Sequence, residues 1–593
     1  MFHLPNKFLT QEAQLNRLRT SHFSFLAALV IFSLLLAACQ VPAAGPAGGQ
    51  QPAAKPAAAT NGAKLPDDAL PYDQQVYKAG CSVTANATAF DFQVTVYNRY
   101  CEAADSSDPL TELDKDFKIQ PAAAEKWEVS KDGLTWTFHL RPGQMWSDGT
   151  PLTAADWEAT YQYLAEPTHA WDFAWFYAGV IKNWDEVVAG EVPSTTLGVK
   201  AVDDLTLAIT TKHPFPPLPG MMKFGWTLQK KALQEHGPFY NNDVKTAVSS
   251  GPYVMESFEP GKKVVFVPNP KYKGYRPLRL KRWEGTYMDP STYYEAFKKG
   301  EIYDIGYEAL TPADFDEVMK DPVMSKNYLR HFGDFRTDYL TWDTFNKPFN
   351  DINVRKAFAH AVDREAILKS VYSEIKAMPA YGLLMPGFPS SSTKGELKEY
   401  QNYDCAAAKA ALAKGGYPDG KDFPKLEMWL RNESPALQAV FQAVAASIAQ
   451  CLNVQIEVSN KDNKVYMDAL NAKPTKLQIG AISYGMDYLD PSNMLGIFVS
   501  TGRHSWKNET YDKMITEASQ ITDDLKKRDQ MFRDAEKLLV DDVGGLFLYH
   551  RWQGTLYQPF VQGDCFRKPD AIGITGPHWG NDSCGSETYL AKH

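Results

Sequence analysis

The chain has 593 residues, is 44% hydrophobic and 13% aromatic, and carries a formal net charge of −9. That length exceeds one core and predicts two or three domains, and the composition excludes a disordered or fibrous chain. The acidic balance argues against nucleic acid as a partner, because phosphate recognition needs a basic face.

In chain order, the first element is apolar, from Ser24 to Ala38, and follows Lys7, Arg17 and Arg19. A basic segment before a short apolar one predicts a secretion signal over 1–38, too short to span a membrane. It ends in Leu36-Ala37-Ala38-Cys39, which resembles the bacterial lipobox, where the cysteine thiol receives a diacylglycerol. Cys39 is thus the expected lipid-attachment residue; the alternative is a plain signal peptide cleaved elsewhere. A second acyl chain would make the anchor firm. Residues 1–38 hold three basic side chains and one acidic, so their removal takes the charge to −11. Residues 39–70 are rich in Ala, Pro, Gly and Gln and predict a flexible tether, since they bury too little to offset chain entropy. No other segment reaches about 18 consecutive apolar residues, so no transmembrane helix is expected.

Strand-like and helical runs then alternate. Leu134 to Leu140 alternates with period 2, and Lys263 to Val267 does so in part. Asp132-Gly133, Asp148-Gly149 and Leu140-Arg141-Pro142-Gly143 are turn chemistry, with Gly supplying positive φ and Asp bonding its local backbone. Thr153 to Leu164 reads as a helix, with Thr153 capping and Asp156 its partner. Asn353 to Val371 has a 3.6-residue apolar face through Val354, Ala357, Phe358, Ala361, Val362 and Ile367. Its charged set, Asp351, Arg355, Asp363 and Arg364, reads as capping and local pairing, with a docking contact as the alternative. Pro435 to Leu452 and Thr510 to Val540 are also helical in pattern. The mixture predicts an α/β or α+β protein without tandem repeats.

Beside Cys39 there are six cysteines: Cys81, Cys101, Cys405, Cys451, Cys565 and Cys584. In a secreted chain they suggest disulfides, and fifteen pairings are open. The sequence-local set is Cys81–Cys101, Cys405–Cys451 and Cys565–Cys584. Without a CxxC pair or clustered His, no metal and no cofactor are expected. The chain also lacks G-x-S-x-G, a P-loop, H-E-x-x-H and G-x-G-x-x-G, so no enzyme activity is expected.

Several phrases lie far apart in fixed order: Ala124-Glu-Lys-Trp127, Ser130 to Gly143, Trp146 to Asp156, Ser250-Gly-Pro-Tyr-Val254, Pro268-Asn-Pro-Lys-Tyr272, Phe345 to Phe358, Ala361-Val-Asp-Arg-Glu365, Gly416-Tyr-Pro-Asp-Gly420 and Asp487-Tyr-Leu-Asp-Pro491. Together they resemble the family 5 (peptide/nickel) extracellular solute-binding proteins of ABC importers, over roughly Leu110 to Tyr549. The resemblance implies an α/β, two-lobed periplasmic-binding-protein-like fold with an additional small domain, of the cluster C, type II class. It implies lobe I from 71–98, 194–335 and 549–593, the small domain at 99–193, and lobe II at 336–548. It implies an extracytoplasmic, lipid-anchored monomer that binds a peptide in the interlobe cleft and hands it to permease subunits with their ATPases.

In the resembled peptide binders the first Asp of the Asp487 segment anchors the peptide's α-ammonium group, which marks Asp487 here. The bland reading is a turn with Asp490 before Pro491. Tyr484 and Gly485 are expected to border the ligand. Trp171, Phe176, Trp226, Trp342 and Trp429 read as core, whereas Trp175, Tyr177 and Tyr466 are the aromatic candidates for the cleft. The aromatic wealth keeps an oligosaccharide ligand as the alternative. A nickel or haem ligand is a further one, since relatives carry those solutes, and a secreted hydrolase is the reading from the enzyme class.

Overall fold

The computed structural model describes residues 64–593 apart from 83–86, 102–106, 373–375, 393–394, 432, 434, 522–523, 571–572 and 577–582. The signal segment, Cys39 and nearly all of the tether lie outside the described residues.

The largest sheet has six strands in the order Ala377–Pro379, Leu546–Arg551, Thr337–Trp342, Ile479–Tyr484, Leu426–Arg431 and Ile456–Lys461. Thr337–Trp342 is buried at every position, as a strand covered on both faces must be. Leu340, Ala481 and Met428 meet helices Ile352–His360, Cys405–Lys414 and Pro435–Leu452 on one face. Tyr339 and Ile482 meet helices Glu509–Ala518 and Leu525–Asp541 on the other.

A four-stranded sheet joins Val76–Ser82, Arg282–Met288, Lys263–Pro268 and Tyr253–Glu259. A smaller one takes Ala124–Val129, Thr135–Leu140, Thr206–Thr210 and Val199–Asp203. In Thr135–Leu140 the period-2 pattern turns Trp136, Phe138 and Leu140 into its core. Two strands of this small sheet lie beyond residue 193, and the six-stranded sheet keeps residues 549–551.

Helix Ala154–Ala165 opens on a capping box between Thr153 and Asp156. The helical pattern from 353 to 371 is not one helix. It stops at His360 and restarts at Arg364, because Asp363 accepts from the Ala366 amide and caps a new turn. Arg364 is buried and donates to the carbonyls of Gln401 and Phe547 at 2.5 and 2.6 Å, with longer bonds to the nearby Ala359 and Val362 carbonyls. Burial pulls its pKa down to about 10. Arg355 meets Asp542 at 3.0 Å, and Asp351 caps helix Ile352–His360, so this set serves the fold. The pattern from 510 to 540 divides in the same way, into Glu509–Ala518 and Leu525–Asp541, the second capped by Asp524.

The chain passes between the six-stranded sheet and a three-stranded one (Asp304–Gly306, Gln553–Tyr557, Tyr328–His331) at two adjacent places. Tyr328–His331 pairs with Gln553–Tyr557, and Thr337–Trp342 pairs with Leu546–Arg551. Residues 332–336 make one crossing and Trp552 the other. They are tied by the Arg551 amide donating to the Arg336 carbonyl at 2.8 Å and by the stacked rings of Phe332 and Trp552 at 5.1 Å. Gly333 sits here at φ +58°, where a Cβ would fall 2.4 Å from the Gln553 side chain.

The cysteines are joined as Cys81–Cys101, Cys405–Cys451 and Cys565–Cys584.

Candidate functional site

Strands Ile479–Tyr484 and Leu546–Arg551 are both antiparallel to Thr337–Trp342 and hence parallel to each other. Leu426–Arg431 and Ile456–Lys461 run the same way. Four strands therefore finish at one edge of the sheet, with Tyr484, Arg551, Arg431 and Lys461 as their last residues. The crevice outside the carboxyl ends of such strands is where α/β sheets take ligands, since the chain leaves the sheet there and loops carry side chains outward.

Asp487 lies three residues past Tyr484, half-buried. Its Oδ2 accepts the Tyr484 hydroxyl at 2.6 Å and the Asn493 amide at 3.0 Å, and its own N–H donates to Asn493 Oδ1 at 2.9 Å. Burial raises its pKa, while these hydrogen bonds and the nearby Arg503 and Arg336 guanidiniums oppose the rise. Tyr484 is held well above the ordinary tyrosine value, by burial first and then by the adjacent Asp487 charge. The carboxylate is thus oriented, partly desolvated and ready to accept one more donor.

Asp490 serves the segment's shape. Its carboxylate accepts the Ser492 amide and hydroxyl at 3.0 and 2.6 Å, which caps the short helix Pro491–Leu495.

Residues of the small domain stand opposite. Asp172 accepts the Thr95 hydroxyl at 2.6 Å and the Val96 amide at 2.9 Å, which fixes the turn that presents Tyr97. Tyr97 is 65% exposed and Trp175 36% exposed, and the two side chains lie side by side. The Tyr97 phenol lies within electrostatic reach of Asp487. Phe215, from the small domain's core, meets the Tyr488 ring edge-on at 5.9 Å. An aromatic wall therefore faces the carboxylate.

Tyr484, Asp487 and Trp175 share this region. Tyr177 and Tyr466 do not border open space. Tyr177 is fully buried against Tyr161 and Trp184, and Tyr466 is fully buried with its hydroxyl on the Ala481 carbonyl at 2.8 Å. Both are core residues, because each phenol finds an internal partner. Gly485 is buried rather than open: an added Cβ would lie 2.1 Å from Asp334 Oδ2. Asp334 is itself paired with Arg336 at 2.5 Å. Sequence reasoning missed Tyr97, Asn493 and Arg503, which lie outside any motif it singled out as a site.

Among the described residues no group of three or more His, Cys, Asp or Glu is placed to hold a metal ion, and no helix is long and apolar enough to cross a membrane.

Residues 118–506 match the family model described as "Bacterial extracellular solute-binding proteins, family 5 Middle". The chain is 30% identical to the probable deoxycholate-binding periplasmic protein YgiS of Escherichia coli, over 78% of this chain and 85% of that one. It is 28% identical to the periplasmic oligopeptide-binding protein OppA of Salmonella typhimurium, over 76% and 82%. A solved structure of the periplasmic murein tripeptide-binding protein MppA, in its unliganded open form, aligns over 89% of this chain and 99% of its own with a TM-score of 0.74 at 24% identity. That likeness establishes the two-lobed fold.

Proposed function

The chain belongs to the bacterial extracellular solute-binding proteins of family 5, and on that premise we propose that it captures peptides in the crevice between the six-stranded sheet's edge and the small domain. Members of this family are substrate-binding transport proteins rather than enzymes. The observation that carries the peptide reading is the half-buried Asp487 carboxylate, braced by Tyr484 and Asn493 and facing Tyr97 and Trp175. A peptide's α-ammonium would supply the missing donor in a charge-assisted bond, while the aromatic wall covers the first side chain. The similarity to oligopeptide and murein tripeptide binders supports the same reading.

In the proposed cycle the open protein takes its ligand on the lobe carrying Asp487. Bending at residues 332–336 and 552 brings the small domain over it, and the closed form docks on an ABC permease. Lobe I then comprises the four-stranded sheet with the C-terminal segment, and lobe II the six-stranded sheet. Cys39 would carry the lipid that keeps the protein at the outer face of the membrane, with residues 39–70 as tether. Fractionating cells that express the full chain or Cys39→Ser tests the anchor: identical distribution of the two would remove it.

The test of the function is calorimetric titration of the purified protein with free and N-acetylated peptides, alongside mass spectrometry of whatever co-purifies. A second reading, an amphipathic carboxylate, is motivated by the 30% identical relative named as probably deoxycholate-binding. The oligosaccharide reading draws on the exposed Tyr97 and Trp175 faces. Deoxycholate and a β-linked disaccharide in the same titration separate the three.

A further inference from the structure

Two half-buried aromatic side chains cross between the lobes in opposite directions. Phe117, on the small-domain side, packs against the core of the lobe built on the six-stranded sheet. Tyr488, from the Asp487 segment of that lobe, packs against the small domain's core. Phe117 meets Phe335 edge-on at 4.8 Å and lies 6.2 Å from Phe332, both in the 332–336 crossing. Tyr488 meets Phe215 edge-on at 5.9 Å. One contact thus sits at the crossing and the other at the crevice, next to the Asp487 carboxylate.

Each ring is held firmly from its own side. Phe117 lies at the tip of the hairpin formed by Thr111–Leu113 and Ile119–Pro121. Asp114 accepts the Asp116 and Lys118 amides at 2.8 and 2.9 Å and the Gln120 side chain at 2.8 Å, which stiffens that tip. The hairpin's root is fixed by the buried Arg276, 2.6 Å from Asp108, and by the Tyr275 hydroxyl donating to Glu112 at 3.0 Å. Tyr488 stands between Asp487, clamped by Asn493, and Asp490, which is paired with Arg528.

The backbone on both sides of the first contact is bent. Phe117 has φ +59° and Phe335 φ +51°. Bulky residues rarely adopt that conformation, and it persists where surrounding contacts over-determine it. Edge-on ring pairs are favourable beyond the area they bury. Both contacts are made by the chain's own residues, and both require the small domain to lie against the Asp487 lobe.

We propose that Phe117 and Tyr488 form a built-in latch that holds the small domain against the Asp487 lobe without help from a bound solute. The latch goes beyond the peptide reading, since it acts whichever solute the crevice takes. It sets the balance between the open and closed arrangements, so a solute has to contribute only the remainder of the closing free energy.

The experiment is small-angle scattering of the intact protein, dialysed free of solute, as wild type, Phe117→Ala, Tyr488→Ala and the double variant. Phe239→Ala, which removes an exposed ring outside both contacts, is the control. Each latch variant should raise the radius of gyration, through a loss of about 3- to 10-fold in the closed-to-open ratio per ring pair. The double variant should expand less than the sum of the two, because the lobes part only once. A variant whose circular dichroism departs from the wild type's is replaced by Phe117→Leu or Tyr488→Leu, which removes the ring and keeps apolar bulk. An unchanged radius in either latch variant, or an equal rise in Phe239→Ala, overturns the latch.

Discussion

Arg528 grips Asp490 from a neighbouring helix, its Nη2 lying 3.0 and 2.9 Å from the two carboxylate oxygens with both side chains buried. Asp490 starts the helix Pro491–Leu495, and Asn493 on that helix clamps Asp487. A pair far from open solvent thus sets the position of the carboxylate that faces the crevice. Burial pushes Asp490 up to about 6 while Arg528 and Ser492 oppose the rise, so the carboxylate is charged near neutrality.

Removing Arg528 should therefore reach the site through the fold. Arg528→Ala strands a buried charge, a loss of about 3–5 kcal/mol. The midpoint of urea unfolding should drop, with ligand affinity falling in the fraction that stays folded. Arg528→Ala combined with Asp490→Ala should lose less than the first change alone, because no charge is left unmatched. Equal loss in the single and double variants would mean that the pair is not the cause.

Asp487→Asn keeps the shape of the side chain and removes its charge. For a peptide with a free amino terminus the loss should be about 3–5 kcal/mol, or two to four decades in dissociation constant. N-acetylated peptide should bind the wild type about as weakly as free peptide binds the variant. If acetylation does not alter wild-type affinity, the ammonium role is wrong and the other ligand readings move ahead.

Glu536 is buried on the helix Leu525–Asp541 and accepts the Leu384 amide at 2.7 Å. Burial raises its pKa from 4.5 to about 8. The folded state therefore favours its neutral form. That stabilisation is complete below about pH 4.5 and is lost as pH rises through about 8, by at most roughly 5 kcal/mol at 1.36 kcal/mol per unit. Glu536→Gln should flatten the fall in melting temperature between pH 5 and pH 8. An unchanged pH profile would show that another group titrates.

Cys405 and Cys451 join helices Cys405–Lys414 and Pro435–Leu452, 46 residues apart in sequence. In the chain-entropy account, opening such a loop costs about 4 kcal/mol. Replacing both by serine should lower the unfolding free energy by up to that amount and leave ligand affinity unchanged, since the bridge lies on the helical face rather than at the crevice. A large affinity loss without a stability loss would contradict this.

Much of the fold was legible because its signals are local. The alternation of Trp136, Phe138 and Leu140, the capping of Ala154–Ala165 by Thr153 and Asp156, and the helix Pro435–Leu452 all follow from periodicity and caps. The break before Arg364 was hidden, since apolar spacing continues across it and what starts the new turn is the Asp363 carboxylate accepting the Ala366 amide. The site was less legible. Asp487 stood out through a recognisable segment. Tyr97 and Arg503 lie in unremarkable loops, and only the folded chain brings them to the same carboxylate. Tyr177 and Tyr466 misled because an aromatic ring reads the same in a core as in a cleft.

The two neighbouring crossings, 332–336 and Trp552, have a mechanical meaning. A single strand lets two bodies tumble independently, whereas two hydrogen-bonded strands act as paired pins that permit a swing and resist twist and slide. In the proposed cycle this leaves one coordinate between open and closed. Contacts on the Asp487 side then set how long a ligand stays on the open protein. Contacts from Tyr97 and Trp175 set how far the swing runs once it is there. Variants of the first kind should change the concentration needed for saturation. Variants of the second kind should change the radius of gyration of the saturated protein, which small-angle scattering reads directly.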